Sequence, residues 1–216
     1  MAPLPLARRA FESAVSLIAP DVCAGCDERI GIMRVFCSLC ASTLAQPAET
    51  REGEIAPFAY GGALVRAIAS LKYAGRVDRA RPLSHLLLQA LDPLRASPPT
   101  LVVPVPLHRK RLAERGYNHV ALLAAPVARA LGARFAASAL VRVRDAPPQA
   151  TLGRAARLEN VEGVFKAAPG LSLARESVLV VDDVRTTGAT IDACVLALRD
   201  AGAAEVRSLV LAISGD

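Results

Sequence analysis

The segment that decides the fold reads Val178-Leu179-Val180-Val181-Asp182-Asp183-Val184-Arg185-Thr186-Thr187-Gly188-Ala189-Thr190. Its first four residues are apolar and mostly β-branched, which is typical of a strand that is buried on both faces in a parallel sheet. Two carboxylates follow where this strand should end, and a turn rich in Thr and Gly then leads into a helical pattern. Ligands of open α/β sheets bind beyond the carboxyl ends of the strands, so the segment predicts a ligand site.

The acids and the turn suit the two ends of a sugar phosphate. Carboxylates accept hydrogen bonds from sugar hydroxyls, while the free backbone N–H groups of a turn at a helix N-terminus bind a phosphate. The segment therefore predicts a ribose-5-phosphate site. Two other phosphate loops are not supported, because the chain has neither Gly-x-x-x-x-Gly-Lys nor a Gly-x-Gly-x-x-Gly after a strand.

The same segment resembles the 5-phosphoribosyl-1-pyrophosphate (PRPP) signature of type I phosphoribosyltransferases. That resemblance implies that Asp182 and Asp183 bind the ribose 2′- and 3′-hydroxyls and act in catalysis. It also implies that the 5′-phosphate is held by the turn, which consists of Thr186, Thr187, Gly188, Ala189 and Thr190.

Length and composition suit one α/β domain with a small appendage. The chain has 216 residues, of which 53% are apolar and only 4% aromatic, so Ala, Val and Leu must form the core. The net charge of +6 fits a polyanionic ligand or nucleic acid. No apolar run approaches the ~20 residues of a membrane span, and residues 1–18 suggest an amphipathic helix rather than a signal peptide. We therefore expect a cytoplasmic protein without membrane insertion.

Four of the five cysteines form two closely spaced pairs. Each pair has the Cys-x-x-Cys spacing of a zinc knuckle, and ten residues separate the pairs. We predict one structural zinc ion, with the ligands Cys23, Cys26, Cys37 and Cys40. The alternatives are two disulfides, which the expected location disfavours, or redox thiols. Cys194 has helical spacing with apolar residues and is predicted to lie in the core.

The rest of the chain predicts alternating helices and strands. Residues 46–57 are polar, with Pro and Gly, and suggest a linker. The further predicted elements are a helix ending near Gly75, a helix over 80–91, a break over 92–99, a strand from Leu101 to Pro106, a loop over 107–115, a helix over 118–131, a strand over 138–143, a loop over 145–163 and a strand over 205–213. This order predicts a type I phosphoribosyltransferase-like fold, a parallel α/β sheet with crossover helices.

Transfer of a phosphoribosyl group also needs positive charge at the leaving pyrophosphate. In the family this comes from Mg²⁺, helped by Lys or Arg and by backbone N–H groups. The loop after the strand at 101–106 can supply this positive charge from His108, Arg109 and Lys110. An ordinary solvated surface loop would have the same composition. The loop over 145–163 suggests a lid that excludes water, and within it Arg157 is the candidate catalytic residue.

Over residues 20–212 the chain resembles the ComF family of competence and gluconate-utilisation proteins. The matching motifs are the paired cysteines, Leu71-Lys72-Tyr73-x-Gly75-Arg76, Val103-Pro104-Val105-Pro106-Leu107-His108, Glu114-Arg115-Gly116-Tyr117-Asn118 and the PRPP signature. The resemblance implies an N-terminal zinc-ribbon module in residues 1–46 and a phosphoribosyltransferase-like domain in residues 55–216. His119 replaces a usual Gln, and Arg185 replaces a smaller residue. We expect neither to touch the ribose or phosphate contacts, although Arg185 could alter pyrophosphate or acceptor preference.

Three functions remain open at this point. The first is a phosphoribosyltransferase (a glycosyltransferase) that uses Mg-PRPP and an unidentified acceptor; whether the chain is an enzyme stays undecided. The second is a non-catalytic module that senses PRPP or a nucleotide. The third, which the family's link to DNA uptake implies, is a DNA-processing accessory protein. It would work with single-stranded DNA and a helicase-like competence protein.

Overall fold

The computed structural model describes residues 22–31, 34–144 and 163–215. The strands are β1 (Glu54–Ile55), β2 (Phe58–Ala59), β3 (Leu101–Pro104), β4 (Arg134–Phe135), β5 (Leu140–Arg142), β6 (Phe165–Ala167), β7 (Ser177–Arg185) and β8 (Glu205–Ile213). The helices are α1 (Ser38–Ala41), α2 (Gly62–Tyr73), α3 (Ala80–Gln89), α4 (Asp92–Arg95), α5 (Arg109–Arg115), α6 (His119–Leu131) and α7 (Ala189–Asp200), with a 3₁₀ turn at Val77–Arg79.

A parallel sheet in the order β1-β8-β7-β3-β4 forms the centre of the fold, and β2 also pairs with β8. Strand β7 lies in the middle, between β3 and β8, and its residues 178–181 are fully buried. Side chains alternate along a strand. Leu179 and Val181 accordingly pack with α2, α3 and α6 on one face, while Val178 and Val180 pack with α7 on the other. The predicted fold class is confirmed.

Strand β7 is longer than the four apolar residues suggested. It continues through both acids to Arg185, in parallel register with β8. The acids therefore belong to the pleated strand, and alternation sends their side chains to opposite faces of the sheet.

The prediction for 138–143 was right about the strand and wrong about its place. Residues 140–142 form β5, which pairs antiparallel with β6 outside the main sheet. The parallel partner of β3 is instead the two-residue strand β4. Gly132 ends α6 in a left-handed conformation at φ 67°, and the chain returns to the sheet almost at once. Both residues of β4 are exposed, so no apolar pattern marked this strand.

The predicted loop over 107–115 is also wrong, because residues 109–115 form helix α5. Most residues of this segment are strong helix formers. His108 caps the first turn by accepting a hydrogen bond from the Lys110 N–H (3.4 Å), and Gly116 ends the helix at φ 79°. No residue of α5 is buried, so the apolar periodicity that normally reveals a helix is missing.

The predicted linker over 46–57 contains β1, which adds an edge strand beside β8. Glu54 in this strand is buried and pairs with Arg185 at 2.8 Å. Because a charged residue takes a buried position of the strand, the hydrophobic pattern of the sequence does not reveal β1. Arg185 thus joins the ends of β1 and β7. The proposed break over 92–99 begins with the single-turn helix α4.

The cysteine segment packs directly on α2. Cys23, Phe36 and Cys40 belong to the same buried cluster as Leu64 of α2. A Cβ at Gly25 would lie 2.8 Å from the Cβ of Ala63, so only glycine permits this approach. The division at 46–55 into two domains stays a prediction. Residues 1–21, with the predicted N-terminal helix, lie outside the described part.

In the described ranges, no helix is long and apolar enough to cross a membrane.

Candidate functional site

The predicted ribose acids are buried and have different surroundings. Asp183 faces α2 and α6, where its Oδ2 lies 2.6 Å from Lys72 Nζ and 3.0 Å from His119 Nε2. Its Oδ1 accepts a hydrogen bond from the Val184 N–H at 2.7 Å. Burial alone would raise the pKa of Asp183, but the His119 hydrogen bond and the Lys72 charge lower it to about 2. Asp183 is therefore an ionised carboxylate with most of its acceptor sites in use.

Asp182 faces α7 and has few partners. Its Oδ1 accepts a hydrogen bond from the Asp183 N–H at 2.8 Å. Among the described residues, none donates a hydrogen bond to Oδ2. Burial, followed by the charge of Asp183, raises the pKa of Asp182 to about 8. This oxygen is free to accept a hydrogen bond from a ligand hydroxyl.

Lys72 completes the acid cluster from the last turn of α2. Burial alone would lower its pKa, but the charge of Asp183 raises it above the usual value. Its ammonium group is therefore charged and offsets one carboxylate. The two acids and Lys72 together then carry about one negative charge when Asp182 is ionised and about none when Asp182 is protonated.

The predicted phosphate turn follows β7 directly. Gly188 has φ 90° and precedes the first residue of α7, so the N-terminus of that helix opens on the turn. Thr187 Oγ1 accepts a hydrogen bond from the Ala189 N–H at 3.4 Å. The remaining N–H groups of the first turn, together with the helix dipole, favour an anion here.

Arg51, from the segment before β1, packs against this turn. Its guanidinium donates to the Thr187 carbonyl oxygen at 2.7 Å and pairs with Asp192 of α7 at 2.9 Å. A Cβ at Gly188 would collide with this guanidinium at 2.4 Å. Arg51 thus brings a cation to the predicted phosphate turn, and no local pattern predicts this contact, since 136 residues separate Arg51 from Thr187.

The predicted leaving-group cations lie on α5, after the carboxyl end of β3. Strand β3 is the direct neighbour of β7, and the Val105 N–H donates to the Val181 carbonyl oxygen at 2.9 Å. The carboxyl ends of the two strands therefore meet at one edge of the sheet. Arg109 and Lys110 are exposed there.

The four paired cysteines come together as predicted. Their Sγ atoms lie within 4.8 Å of one another, and those of Cys26 and Cys37 are 3.7 Å apart. A tetrahedral zinc with bonds of about 2.3 Å to sulfur has S···S edges of about 3.8 Å. Cys23 Sγ also accepts from the N–H groups of Gly25 and Cys37, at 3.4 and 3.3 Å. These bonds outweigh burial, which alone would raise its pKa, and lower the pKa of Cys23 to about 6. All five cysteines are free thiols, and the paired ones could hold a zinc ion.

Three contacts of the site were missed in the sequence. Lys72 lies within a quoted motif but had no assigned role, and Arg51 was placed in a linker. His119 was expected not to touch the sugar or phosphate contacts, yet it bonds to Asp183. Only the fold brings these residues together, since each is far in sequence from the PRPP signature. The predicted catalytic residue Arg157 lies outside the described residues.

These features define an α/β domain in which a buried acid pair is followed by a Thr- and Gly-rich turn at a helix N-terminus, an arrangement that resembles that of phosphoribosyltransferases. Residues 121–215 match the family model of the phosphoribosyl transferase domain. The chain is 33% identical over 144 residues to the DNA utilization protein YhgH of Salmonella typhi, a match that covers 65% of this chain and 63% of that protein. It is 32% identical over 110 residues to competence protein F of Haemophilus influenzae, covering 50% of this chain and 48% of that protein.

Solved structures show weaker similarity. A glutamine PRPP amidotransferase from B. subtilis, complexed with ADP and GMP, is 24% identical with a TM-score of 0.41, covering 61% of this chain and 25% of that chain. The matches to the family model and to the curated relatives confirm the predicted resemblance to the ComF family of phosphoribosyltransferase-like proteins. The matched region spans just under two thirds of the first curated relatives.

Proposed function

We propose that the chain binds PRPP with Mg²⁺ and transfers its phosphoribosyl group to an acceptor. The observation that carries the proposal is the buried acid pair of β7, which leads directly into a glycine-containing turn at the N-terminus of α7. The cations of α5 lie at the end of the neighbouring strand β3. One edge of the sheet thus offers partners for a sugar, a phosphate and a diphosphate.

The sugar would lie between the acids and the turn. Asp182 Oδ2 accepts a hydrogen bond from a ribose hydroxyl, and Asp183 contributes its ionised carboxylate, held by Lys72 and His119. Thr186 to Thr190 hold the 5′-phosphate through backbone N–H groups and hydroxyls, with Arg51 as a nearby cation. Each part of the ligand then meets a group of suitable charge.

In the reaction, the bond between C1 and the diphosphate oxygen breaks, and the diphosphate leaves with the electron pair. A lone pair of the acceptor forms the new bond to C1, and the acceptor's proton goes to solvent. Arg109, Lys110 and the capping His108 stabilise the leaving charge. The charge of Asp183 is offset by Lys72, so the acid pair of β7 does not present two free carboxylates to bare Mg²⁺. We expect the ion to arrive on the oxygens of PRPP. Arg157 is proposed to complete the site from the lid.

The α5 cations should act on the diphosphate rather than on the sugar. We expect Arg109→Ala/Lys110→Ala to weaken Mg-PRPP binding by roughly tenfold or more, with a smaller loss for ribose-5-phosphate, because only PRPP carries charge at C1. Calorimetry with both ligands measures the difference. Arg129→Ala/Arg199→Ala is the matched control, since it removes two exposed cations from the C-terminal turns of α6 and α7. Equal losses of affinity for the two ligands would show that α5 is an ordinary solvated helix with no specific role at the diphosphate.

The phosphate turn should depend on glycine at 188. A side chain at φ 90° costs about 1–2 kcal/mol, and its Cβ would displace Arg51. We therefore expect Gly188→Ala to lower stability modestly and to weaken ribose-5-phosphate binding more than ribose binding. Gly132→Ala, also at positive φ but at the far end of α6, should show the stability loss alone. Unchanged ribose-5-phosphate affinity in Gly188→Ala would contradict the phosphate assignment.

Mixing the protein with Mg-PRPP and a panel of nucleobases distinguishes transfer from sensing. Pyrophosphate release that depends on one acceptor indicates a transferase. Binding of PRPP without release under any acceptor indicates the non-catalytic sensor, and absence of binding contradicts both.

The names of the relatives favour a second candidate, an accessory protein in DNA handling. The exposed cations of α5 suit a phosphate backbone, and a helicase-like competence protein would be the partner. This role is supported if the protein binds single-stranded DNA and the logarithm of the binding constant falls linearly with the logarithm of the salt concentration. Loss of that dependence in Arg109→Ala/Lys110→Ala, but not in the control pair, would place the DNA on α5.

A further inference from the structure

The side chain of His119 lies between two parts of the proposed site. Its Nδ1 is 2.6 Å from Nη1 of Arg115, and its Nε2 is 3.0 Å from Oδ2 of Asp183. The side chain is only 4% exposed. Arg115 ends α5, which carries the proposed diphosphate cations, whereas Asp183 belongs to the proposed sugar site.

The two contacts determine the protonation of the imidazole ring. A guanidinium is always charged and has no acceptor, so Nδ1 of His119 must accept from Arg115 and carry no proton. The proton therefore resides on Nε2, from which it is donated to Asp183. Burial lowers the pKa of His119, despite the opposing charge of Asp183, and the cations Lys72 and Arg115 act in the same direction as burial. The ring is neutral at pH 7.

The backbone around His119 fixes this arrangement. The Asn118 side chain caps α6 by accepting from the Val120 N–H at 3.0 Å, and it donates to the Val105 carbonyl oxygen at 3.1 Å. The turn between α5 and α6 is thereby tied to the end of β3. Arg115 lies over the ring of Tyr73 at 5.4 Å, which further restrains the guanidinium. A displacement of α5 is therefore transmitted to Asp183 through one buried ring.

We propose that His119 is a positioning residue that couples the diphosphate-binding helix α5 to the sugar-binding acid Asp183. Arg115 of α5 donates to Nδ1 of His119, and His119 in turn donates from Nε2 to Asp183 and aligns this acid for the sugar, so that the helix that binds the diphosphate and the acid that binds the sugar share one buried ring. This inference rests on the proposed function. Glutamine can make both bonds, since its Oε1 accepts from Arg115 and its Nε2 donates to Asp183; histidine differs in that it titrates.

The groups that face His119 are Lys72 on α2, Arg115 on α5 and Asp183 on β7. Protonation of Nδ1 would break the Arg115 contact and add a third cation beside Lys72 and Arg115. As the pH falls below the lowered pKa of His119, the coupling should weaken in the wild type and persist in His119→Gln.

Two measurements test the proposal. The first is ¹⁵N NMR of the free protein at pH 7, which is simplified because the chain has three histidines. We expect a neutral Nε2–H ring for His119 in the wild type, and a higher pKa of His119 in Arg115→Met, which lacks the guanidinium that lowers it. A Nδ1–H or charged ring in the wild type would overturn the inference, whether or not PRPP binds.

The second measurement is calorimetry with Mg-PRPP, using folded variants checked by their unfolding transitions. We expect His119→Gln to bind within about threefold of the wild type at pH 7.5, and both His119→Leu and Arg115→Met to bind at least roughly tenfold more weakly. As the pH falls through the titration of His119, followed by NMR, the wild type should lose affinity relative to His119→Gln. Wild-type affinity in Arg115→Met, or a constant ratio between wild type and His119→Gln across that titration, would overturn the coupling. Failure of the wild type to bind Mg-PRPP would instead contradict the proposed function.

Discussion

Replacing Cys37 with serine is expected to remove the zinc ion and to destabilise the whole chain by several kcal/mol. Zinc bound by thiolates contributes about 10–16 kcal/mol of binding free energy in small modules, and that energy supports folding. Cys37 is 7% exposed and shares a buried cluster with Leu64 of α2 and Leu83 of α3. Loss of the metal should therefore loosen these helices as well as the cysteine segment.

Metal analysis and urea unfolding of the full chain measure both effects. Cys194→Ala is the matched control, because Cys194 is also buried but lies in α7, in the other core cluster. It should keep one zinc ion and show only the modest loss expected for a small cavity. Protein purified without chelator that contains no zinc, or Cys37→Ser protein that retains it, would contradict the assignment.

The two adjacent acids should respond oppositely to the same substitution. Asp183→Asn leaves the charge of Lys72 half-buried without its partner. Breaking such pairs costs about 3–5 kcal/mol, and we expect roughly 3 because Lys72 remains 21% exposed. Asp182→Asn removes a carboxylate that burial and Asp183 make costly to ionise, so this variant should be more stable than the wild type at neutral pH.

These two effects should depend on pH in opposite ways. The pKa of Asp183 is lowered to about 2, so its stabilisation is complete above the unfolded value of about 3.9 and is lost as the pH falls toward 2. The pKa of Asp182 is raised to about 8, so the folded state binds the extra proton between about pH 4 and 8 and loses stability as the pH rises. The advantage of Asp182→Asn should vanish below pH 4 and be largest above pH 8.

Urea unfolding across this range measures both curves. Asp192→Asn is a useful control, because that carboxylate is half-exposed and paired with Arg51, and an exposed pair contributes little. If Asp182→Asn is less stable than the wild type at pH 8, the described surroundings of this acid are wrong.

The core of the fold could be predicted because its signal is local. The apolar run at 178–181 and the pattern at 205–213 mark the two longest strands, and Asn118 and Gly132 mark both ends of α6. Strand β4 and helix α5 could not be found in this way, since neither contains a buried residue. The hydrogen bonds of β4 also depend on its pairing with β3. The place of β5 outside the sheet depends on pairing with β6, which no local pattern encodes.

The candidate site was only partly visible for a related reason. Motif spacing identifies the acids, the turn and the cysteines, because those groups are close in sequence. Lys72 and His119 reach Asp183 across 111 and 64 residues, and their role depends on the helices that flank β7. A lysine in the apolar face of α2, next to Leu71, was the one available hint.

Titration of the full chain with Mg-PRPP, in the wild type and in Asp182→Asn, tests the central claim most directly. Because this variant is expected to be the more stable protein, loss of binding cannot come from unfolding. At a pH above 8, where Asp182 is mostly ionised, the account predicts one Mg-PRPP per wild-type chain and affinity lower by roughly tenfold or more in Asp182→Asn, as for the loss of a charged hydrogen-bond partner. A wild-type chain that binds no Mg-PRPP, or equal affinity in the two proteins, would contradict it.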